Sequence, residues 1–329
     1  MALSLLTSIS SNVGRKQPVF VPAGPFTIKV LGATTLPSGQ TNNTDITPAV
    51  GNYYTFTSTS GTNSIQFTNP LPTTRIQVLS VGGGGSGSAG GGGGGGVVDQ
   101  TFNIGIQNDT LTIVVGAGGT AQPVNNFPAG AVSNNQYTSD YLITIKGKNT
   151  TGTFSANTSN NIISYGGGAG ATRFYSGTTG GSSGGSRQSS TGGSATYSDT
   201  ANTANNNIAY IGSKVNSAGG GGGGGGNGSA TLTNGSDRGT TYGKDGGIGY
   251  QSNITGTNVY YAGGGGGGND GGVNNAFSIG GLGGGGNANI ANGTPGTNGL
   301  GGGGGGSNNF GGSGSNGGSG VFIVKFIQI

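Results

Sequence analysis

Residues 76–98 read IQVLSVGGGGSGSAGGGGGGGVV, and this stretch decides the fold. A strand-like apolar segment enters a block of pure glycine, and a second glycine block leads into Val97 and Val98. Glycine makes up 82 of the 329 residues, against a usual share of about 7%. The chain has six such runs: Gly82–Gly85, Gly90–Gly96, Gly219–Gly226, Gly263–Gly268, Gly283–Gly286 and Gly301–Gly306.

Glycine runs of this kind are either flexible linkers or parts of a packed structure. Fixing one backbone residue costs about 1–2 kcal/mol, so ordering a run such as Gly219–Gly226 would cost roughly 8–16 kcal/mol. An isolated run has no side chain to offset this cost and stays a coil. Several runs together can form extended three-fold helices whose amides bond to neighbouring helices.

We favour the packed bundle, because the runs recur and adjoin apolar residues. In that bundle each run contributes backbone groups that no side chain may separate. One structural glycine is assigned to each run: Gly82, Gly93, Gly222, Gly265, Gly284 and Gly303.

Residues 1–81 are predicted to be a β-rich unit for attachment or assembly. Apolar and polar residues alternate there with the period of two that is typical of strands. Seven of the chain's ten prolines fall in this part, between the alternating segments, where proline separates strands without interrupting them. The predicted strands are Phe26–Leu31, Tyr54–Thr57, Ser64–Thr68 and Arg75–Leu79.

Residues 82–329 are predicted to be a glycine-rich domain with polar variable loops. Candidate strands are Asp109–Gly116, Tyr141–Gly147 and the apolar C-terminal segment Val321–Ile329. The C-terminal segment would aggregate if it were exposed, so we expect it to pair in the core beside the strands that enter the first glycine runs. Strong helix formers are scarce. The fold class is therefore all-β, with packed polyglycine II helices and short strands.

The amino-acid composition argues against most kinds of catalytic and metal-binding sites. The sequence has no His, Cys, Trp or Glu, and only 6% of its residues are charged. Thiolate nucleophiles, the commonest general base and most metal ligands are absent, so we predict no enzyme, no metal and no cofactor. Asp237 and Asp245 are interpreted as turn residues, not as the carboxylate pair of a glycosidase.

Net charge and hydropathy restrict the partners and the cellular location that we predict for this chain. A net charge of +4 is small for this length, which argues against a nucleic-acid partner. No apolar stretch reaches the roughly 18 residues of a membrane-spanning helix, so no membrane insertion is predicted. Met1–Leu6 is apolar but lacks a basic flank, and it does not fit a signal peptide. We expect synthesis in a cytoplasm, and if the chain works outside a cell, we expect it to arrive there by assembly or lysis.

Tyrosine in polar loops predicts a binding surface. Loops rich in Ser, Gly and Asn suit recognition when tyrosine supplies rigid contact area with a polar tip. Packing against the glycine bundle is the alternative for the two tyrosines that adjoin Gly263–Gly268. The candidate receptor-binding residues are Tyr197, Tyr210, Tyr242, Tyr250, Tyr260 and Tyr261.

The order of strands and glycine runs forms a signature. An I-x-V-L-x-V strand enters GGGG at Ile76–Gly85, GGGGGGVV follows at Gly91–Val98, and LTIVVGAGG follows at Leu111–Gly119. The chain closes with GGSGVFIVKF at Gly317–Phe326. This pattern, over about residues 65–329, resembles the glycine-rich domain of virion surface proteins, found in phage tail-fibre tip adhesins and related structural proteins of phages and large DNA viruses.

The resemblance implies polyglycine helices that carry variable, host-contacting loops at one end. It therefore implies a host-receptor-binding protein on the virion surface. Its partners would be other virion proteins, contacted through residues 1–81, and a host cell-surface protein or glycan. A purely structural capsid or tail component is one alternative, and a glycine-rich cell-surface or ice-binding protein is another.

Overall fold

The computed structural model describes residues 24–121, 132–133, 136–172, 177–182, 184–185, 245–268, 278–307 and 312–329. These residues form mostly antiparallel strands and extended glycine segments, so the predicted all-β class is confirmed. The strands are β1 Thr27–Leu31, β2 Asp45–Ile46, β3 Tyr53–Phe56, β4 Asn63–Thr68, β5 Arg75–Val81, β6 Val97–Asn103, β7 Thr110–Val114, β8 Val132–Ser133, β9 Gln136–Tyr137, β10 Thr150–Phe154, β11 Ile162–Ser164, β12 Tyr250–Ser252, β13 Val259–Tyr261 and β14 Val321–Gln328.

Two sheets form the body of the described structure. The larger has the order β11-β10-β7-β4-β1-β2, and the smaller has the order β3-β14-β5-β6. Strand pairs β8-β9 and β12-β13 are separate hairpins. The predicted boundary after residue 81 is crossed by both sheets, because β4 pairs with β7 and β5 pairs with β6.

The main core lies between the two sheets. Successive side chains of a strand point to opposite faces, and the inward residues of both sheets form one cluster. The six-stranded sheet supplies residues such as Ile28, Phe67 and Leu111, and the four-stranded sheet supplies residues such as Phe56 and Phe322; all five are fully buried. The sheets therefore pack as a sandwich.

The C-terminal strand β14 is central to the four-stranded sheet. It pairs with β5 on one side and with β3 on the other. Phe322, Val324 and Phe326 enter the main core, while Val321 and Ile323 enter a second cluster on the opposite face. The predicted burial of this segment beside β5, the strand that enters the first glycine run, is confirmed.

The glycine runs continue directly from these strands and bond with a period of three residues. Gly82 N donates to Gly96 O (3.0 Å) and Gly85 N donates to Gly93 O (2.9 Å), so amides three apart contact the same neighbouring run. This is the period of the three-fold polyglycine helix. Other amides of the same stretch follow this period toward two further segments. Gly83 N and Ser86 N donate to Lys148 O and Ile145 O, and Gly84 N and Gly87 N donate to Gly318 O and Ser315 O.

Neighbouring runs lie in both directions. Gly263 N and Gly266 N donate to Gly283 O and Gly286 O (3.0 and 2.9 Å), a parallel arrangement. Among the described runs, none of these amides donates to a carbonyl of its own run. The predicted packed bundle is confirmed for these runs, whereas Gly219–Gly226, with Gly222, lies outside the described residues.

The predicted strand at Tyr141–Gly147 is wrong, because Ser139–Ile145 forms a helix, α1. Thr138 caps it, since its side-chain oxygen accepts a hydrogen bond from Tyr141 N. Only Ile145 is buried within the helix, whereas a strand in the sheet would bury alternate residues. No helix in the described part of the chain is long and apolar enough to cross a membrane.

Candidate functional site

The hairpin of β12 and β13 carries three of the candidate tyrosines. Tyr250 lies opposite Tyr261, and Gln251 lies opposite Tyr260. Because strand side chains alternate, the first pair faces one side of the hairpin and the second pair faces the other. The loop at residues 253–258 closes through a Gly256 N to Asn253 O bond of 2.9 Å, with Gly256 at a φ of +91°.

The inner face of the hairpin packs on the four-stranded sheet. Ile254 is fully buried and Tyr261 is 4% exposed. Both contact a cluster formed by apolar residues of β5, β6 and β14 on the face opposite the main core. The cluster members are Leu79, Val81, Val97, Ile254, Tyr261, Ala262, Val321 and Ile323. The hairpin is therefore anchored to the sheet by hydrophobic burial.

Asp99 of β6 adds a polar anchor. Its Oδ2 accepts hydrogen bonds from the Tyr250 hydroxyl and the Ser252 hydroxyl, both at 3.1 Å. Its Oδ1 accepts a bond of 2.8 Å from Gln77 Nε2. Hydrogen bonds to an ionised group are stronger than bonds between neutral groups, so Asp99 fixes the strand β12 against the sheet.

Two buried phenols have raised pKa values. Burial raises the pKa of Tyr261 to about 12, and the Tyr53 phenol and the Asp99 carboxylate add to the rise. Burial also raises the pKa of Tyr54, in the main core, to about 12, although hydrogen bonds with Asn52 and Gln40 oppose this. Both phenols are therefore neutral whenever the chain is folded near neutral pH.

We expect the free energy of unfolding to fall between pH 10 and pH 12. Below pH 10 both phenols are protonated in the folded and unfolded chains. Above pH 10 the unfolded chain releases these protons while the folded chain retains them, so rising pH favours unfolding by roughly 2 kcal/mol per phenol. Denaturant titrations across this range measure the slope.

The double variant Tyr54→Phe/Tyr261→Phe should have a shallower slope over the same pH range, because neither site then ionises in the unfolded chain. Tyr260→Phe serves as the matched control, since it removes a half-exposed phenol from the same hairpin. An unchanged slope in the double variant would contradict the assignment of the alkaline loss to these two phenols.

The outer face of the hairpin is more accessible. Gln251 is exposed and Tyr260 is half-buried, and the loop residues Gly256, Thr257 and Asn258 are exposed. Apart from the buried Ile254, the loop and Tyr260 form a polar surface with one aromatic ring, which we call the hairpin tip (residues 253 and 255–258 with Tyr260). This is the composition that recognition loops use.

The structure divides the candidate tyrosines. Tyr261 packs in the cluster between the hairpin and the four-stranded sheet. This agrees with the alternative interpretation, in which the tyrosines beside Gly263–Gly268 have a packing role, and little of the side chain is accessible to a partner. Tyr250 is half-buried and bonded to Asp99, so it is a support for the hairpin rather than a mobile loop residue. Tyr260 alone of these three lies on the outer face. Tyr197, Tyr210 and Tyr242 lie outside the described residues.

Gly82 and Gly265 lie where two backbones approach each other closely. A Cβ on Gly82 would lie 2.2 Å from Tyr165 O, and one on Gly265 would lie 2.1 Å from Gly304 O. Gly284 has a φ of +86° and faces Thr297 and Leu300. Gly93 lies between two other segments, donating to Gly168 O and accepting from Gly85 N.

Sequence reasoning missed a polar cleft of about 530 Å³ where strand β3 meets the glycine segments. Hydroxyl and carboxamide groups line it, with no charged side chain. The polar side chains include Thr57, Ser58, Ser60, Thr120, Asn298 and Asn316. These residues are scattered over the sequence, and no local pattern predicts that they share a surface.

Two acidic residues of the described part, Asp245 and Asp109, accept hydrogen bonds from backbone amides. Asp245 Oδ1 accepts a hydrogen bond of 2.8 Å from Ile279 N, which is 34 positions away, so this bond joins two segments rather than the residues of one turn. Asp109 Oδ1 accepts bonds from Thr110 N and the Ser155 hydroxyl. Within the described ranges, no group of three acidic side chains is arranged to hold a metal ion. Asp237 lies outside them.

A family model described as a glycine-rich domain matches residues 57–327. The match includes strands β4 to β13, most of β14 and all six glycine runs. No curated protein matches the chain.

Proposed function

We propose that this chain, which belongs to the glycine-rich domain family, is a non-enzymatic binding protein that recognises a host cell from the surface of a virion. The virion location rests on the resemblance of its glycine and strand pattern to virion surface proteins. Binding is the activity for which the geometry offers the most support.

The anchoring of the hairpin tip carries this proposal. Hydrophobic burial of Ile254 and Tyr261 and the bonds to Asp99 hold the hairpin on the sheet. The sheet itself continues into a glycine bundle that is hydrogen-bonded on several sides. A loop that is already fixed loses little conformational entropy on binding, so a rigid frame favours affinity.

Composition supports binding over catalysis. The chain has no His, Cys or Glu, and Asp99, which contacts the hairpin, is bonded within the fold to Gln77, Tyr250 and Ser252. The outer face instead offers a tyrosine ring, hydroxyls and carboxamides, which contact proteins and glycans without chemical change. Residues 1–81 remain, in this proposal, the part that contacts other virion proteins.

We expect Tyr260→Ala to reduce binding of the purified chain to host cells by at least about tenfold, because tyrosine is enriched among the contact residues that contribute about 2 kcal/mol or more. Flow cytometry with labelled protein, or competition with virus for adsorption, measures the loss. Tyr53→Ala is the matched control: Tyr53 is also half-buried and packs on the same side of the sheet, but it belongs to β3 and not to the tip.

If both variants bind host cells as the unaltered chain does, the hairpin tip is not the contact. If the unaltered chain shows no binding to host cells but is incorporated into particles, the structural capsid or tail role is correct and the adhesin role is wrong.

A further inference from the structure

A cleft of about 400 Å³ opens beside helix α1, apart from the hairpin tip. Its volume falls within the roughly 300–1,000 Å³ of ligand-binding clefts. Apolar, aromatic and basic side chains line it together, unlike the uncharged polar cleft near β3. The lining side chains are Leu142, Ile143, Lys146, Lys148, Asn149 and Tyr165.

The cleft is positively charged. Lys146 and Lys148 both line it, whereas no acidic side chain is among its described lining residues. The Lys148 ammonium donates to the Ile143 carbonyl at the end of α1. An ammonium has three N–H donors, so Lys148 is positioned while keeping donors for a ligand.

The other side chains suit a sugar ring. Tyr165 is half-buried, and among the described residues its hydroxyl has no hydrogen-bond partner. Asn149 Oδ1 accepts from Gly166 N at 3.0 Å, which orients the carboxamide and leaves its two N–H donors for a ligand. Ile143 is 60% exposed and extends the apolar wall. An aromatic face, an amide donor and two cations match a ring with hydroxyls and one negative charge.

Backbone groups at the cleft are already paired, which disfavours an acidic peptide. Gly147 N donates to Gly167 O at 2.9 Å, and Lys148 N donates to Ala117 O at 2.8 Å. A peptide that adds as a strand needs an unpaired backbone edge. These amides offer none, so recognition in this cleft depends on side chains.

We propose that this cleft binds an acidic saccharide, with Lys146 and Lys148 contacting a sugar carboxylate and Tyr165 packing against the ring. The inference deepens the proposed host recognition and rests on it for its biological role, because it assigns a glycan partner to a second surface. The binding itself is testable on the purified full chain without host cells.

The test compares an oligogalacturonate with its methyl ester, which keeps the sugar rings and removes the charges. We expect the acid to bind at least about tenfold more tightly than the ester, and its affinity to fall with added salt. Lys146→Gln/Lys148→Gln should reduce affinity for the acid by about tenfold, since two partly exposed ion pairs contribute roughly that much. Lys146→Arg/Lys148→Arg should retain binding. Calorimetry or fluorescence titration measures all three.

The control is Lys29→Gln/Arg75→Gln, which removes the same net charge from residues that do not line the cleft. Equal loss in the control, equal affinity for acid and ester, or tighter binding of an oligo-aspartate of equal charge would overturn the proposal. Thermal unfolding of each variant shows that it is folded.

Parallel host-cell binding separates this inference from the proposed function. Cell binding without oligogalacturonate binding overturns the acidic-saccharide site and leaves the adhesin proposal standing. Oligogalacturonate binding without cell binding supports the site and contradicts the adhesin role.

Discussion

Gly303→Ala is expected to prevent the chain from folding cooperatively. A Cβ at this position would lie 2.0 Å from the carbonyl oxygen of Gly92, an atom of another run and not a flexible side chain. The two backbones must then separate, although Gly303 N donates to Gly263 O at 2.8 Å and Gly303 O accepts from Gly286 N at 2.9 Å. Each buried amide or carbonyl left without a partner costs about 1–3 kcal/mol.

The loss in the free energy of unfolding expected for Gly303→Ala is large compared with the total stability of a domain, which is about 5–15 kcal/mol. Gly92 O also accepts from Gly265 N at 2.8 Å, so three hydrogen bonds are at risk and the cost reaches roughly 3–9 kcal/mol. Soluble yield and denaturant unfolding followed by tyrosine fluorescence measure the effect. A Gly303→Ala chain with a melting temperature within a few degrees of the unaltered chain would show that the runs do not pack as closely as this.

Gly61→Ala is the matched control. Gly61 has a φ of +87°, and a Cβ there would meet nothing within 4 Å. Its replacement therefore tests backbone strain without a steric clash, and it should cost only about 1–2 kcal/mol. The chain should remain folded and soluble, and the difference between the two variants isolates the contribution of close backbone packing.

The sequence predicts the glycine bundle because glycine leaves few alternatives. A run without side chains can only be ordered if its amides find partners, and several runs supply them to one another. The strands Thr27–Leu31, Asn63–Thr68 and Arg75–Val81 are predictable for a similar reason, since their alternation matches the two faces of a half-buried sheet. The terminal strand was predictable from its lack of a polar face.

The helix α1 and strands β10 and β11 were not predictable from local pattern. The segment Tyr141–Ile145 is rich in residues that favour strands, yet a capping threonine and the packing of Ile145 decide its structure. Strand β10 needs glycine at position 152, because a Cβ there would lie 2.7 Å from the Phe322 ring. That ring is 170 positions away in sequence, and local reasoning has no access to it.

The candidate site was predictable only in part. Composition pointed to tyrosines beside Gly263–Gly268, but the assignment of faces depends on register, which pairs Tyr250 with Tyr261. A shift of one residue would have placed Tyr260 inward instead. One feature of the sequence could have indicated Asp99, the polar anchor of the hairpin. It is a charged residue that directly follows Val97 and Val98, the apolar pair after the run Gly90–Gly96. The Lys-Gly-Lys sequence at 146–148 is the corresponding signal for the cleft beside α1.

Deleting residues 320–329 is expected to give insoluble protein. The deletion removes β14 from the middle of the four-stranded sheet, where it pairs with both β3 and β5. Two strands would then present unpaired backbone edges, which promote aggregation. The same deletion opens both hydrophobic clusters, because β14 contributes buried residues to each.

A point variant tests the contribution of β14 without shortening the chain. The Phe326 ring contacts the rings of Phe26 and Tyr54, each at 6.0 Å between centroids, and that of Phe67 at 6.5 Å. Phe326→Ala should therefore cost about 3–5 kcal/mol in the free energy of unfolding. Lys325→Ala, a half-buried position on the same strand, should cost far less, because its side chain enters neither cluster. A truncated chain that is soluble and unfolds cooperatively, or a Phe326→Ala variant as stable as Lys325→Ala, would mean that the sandwich closes without β14.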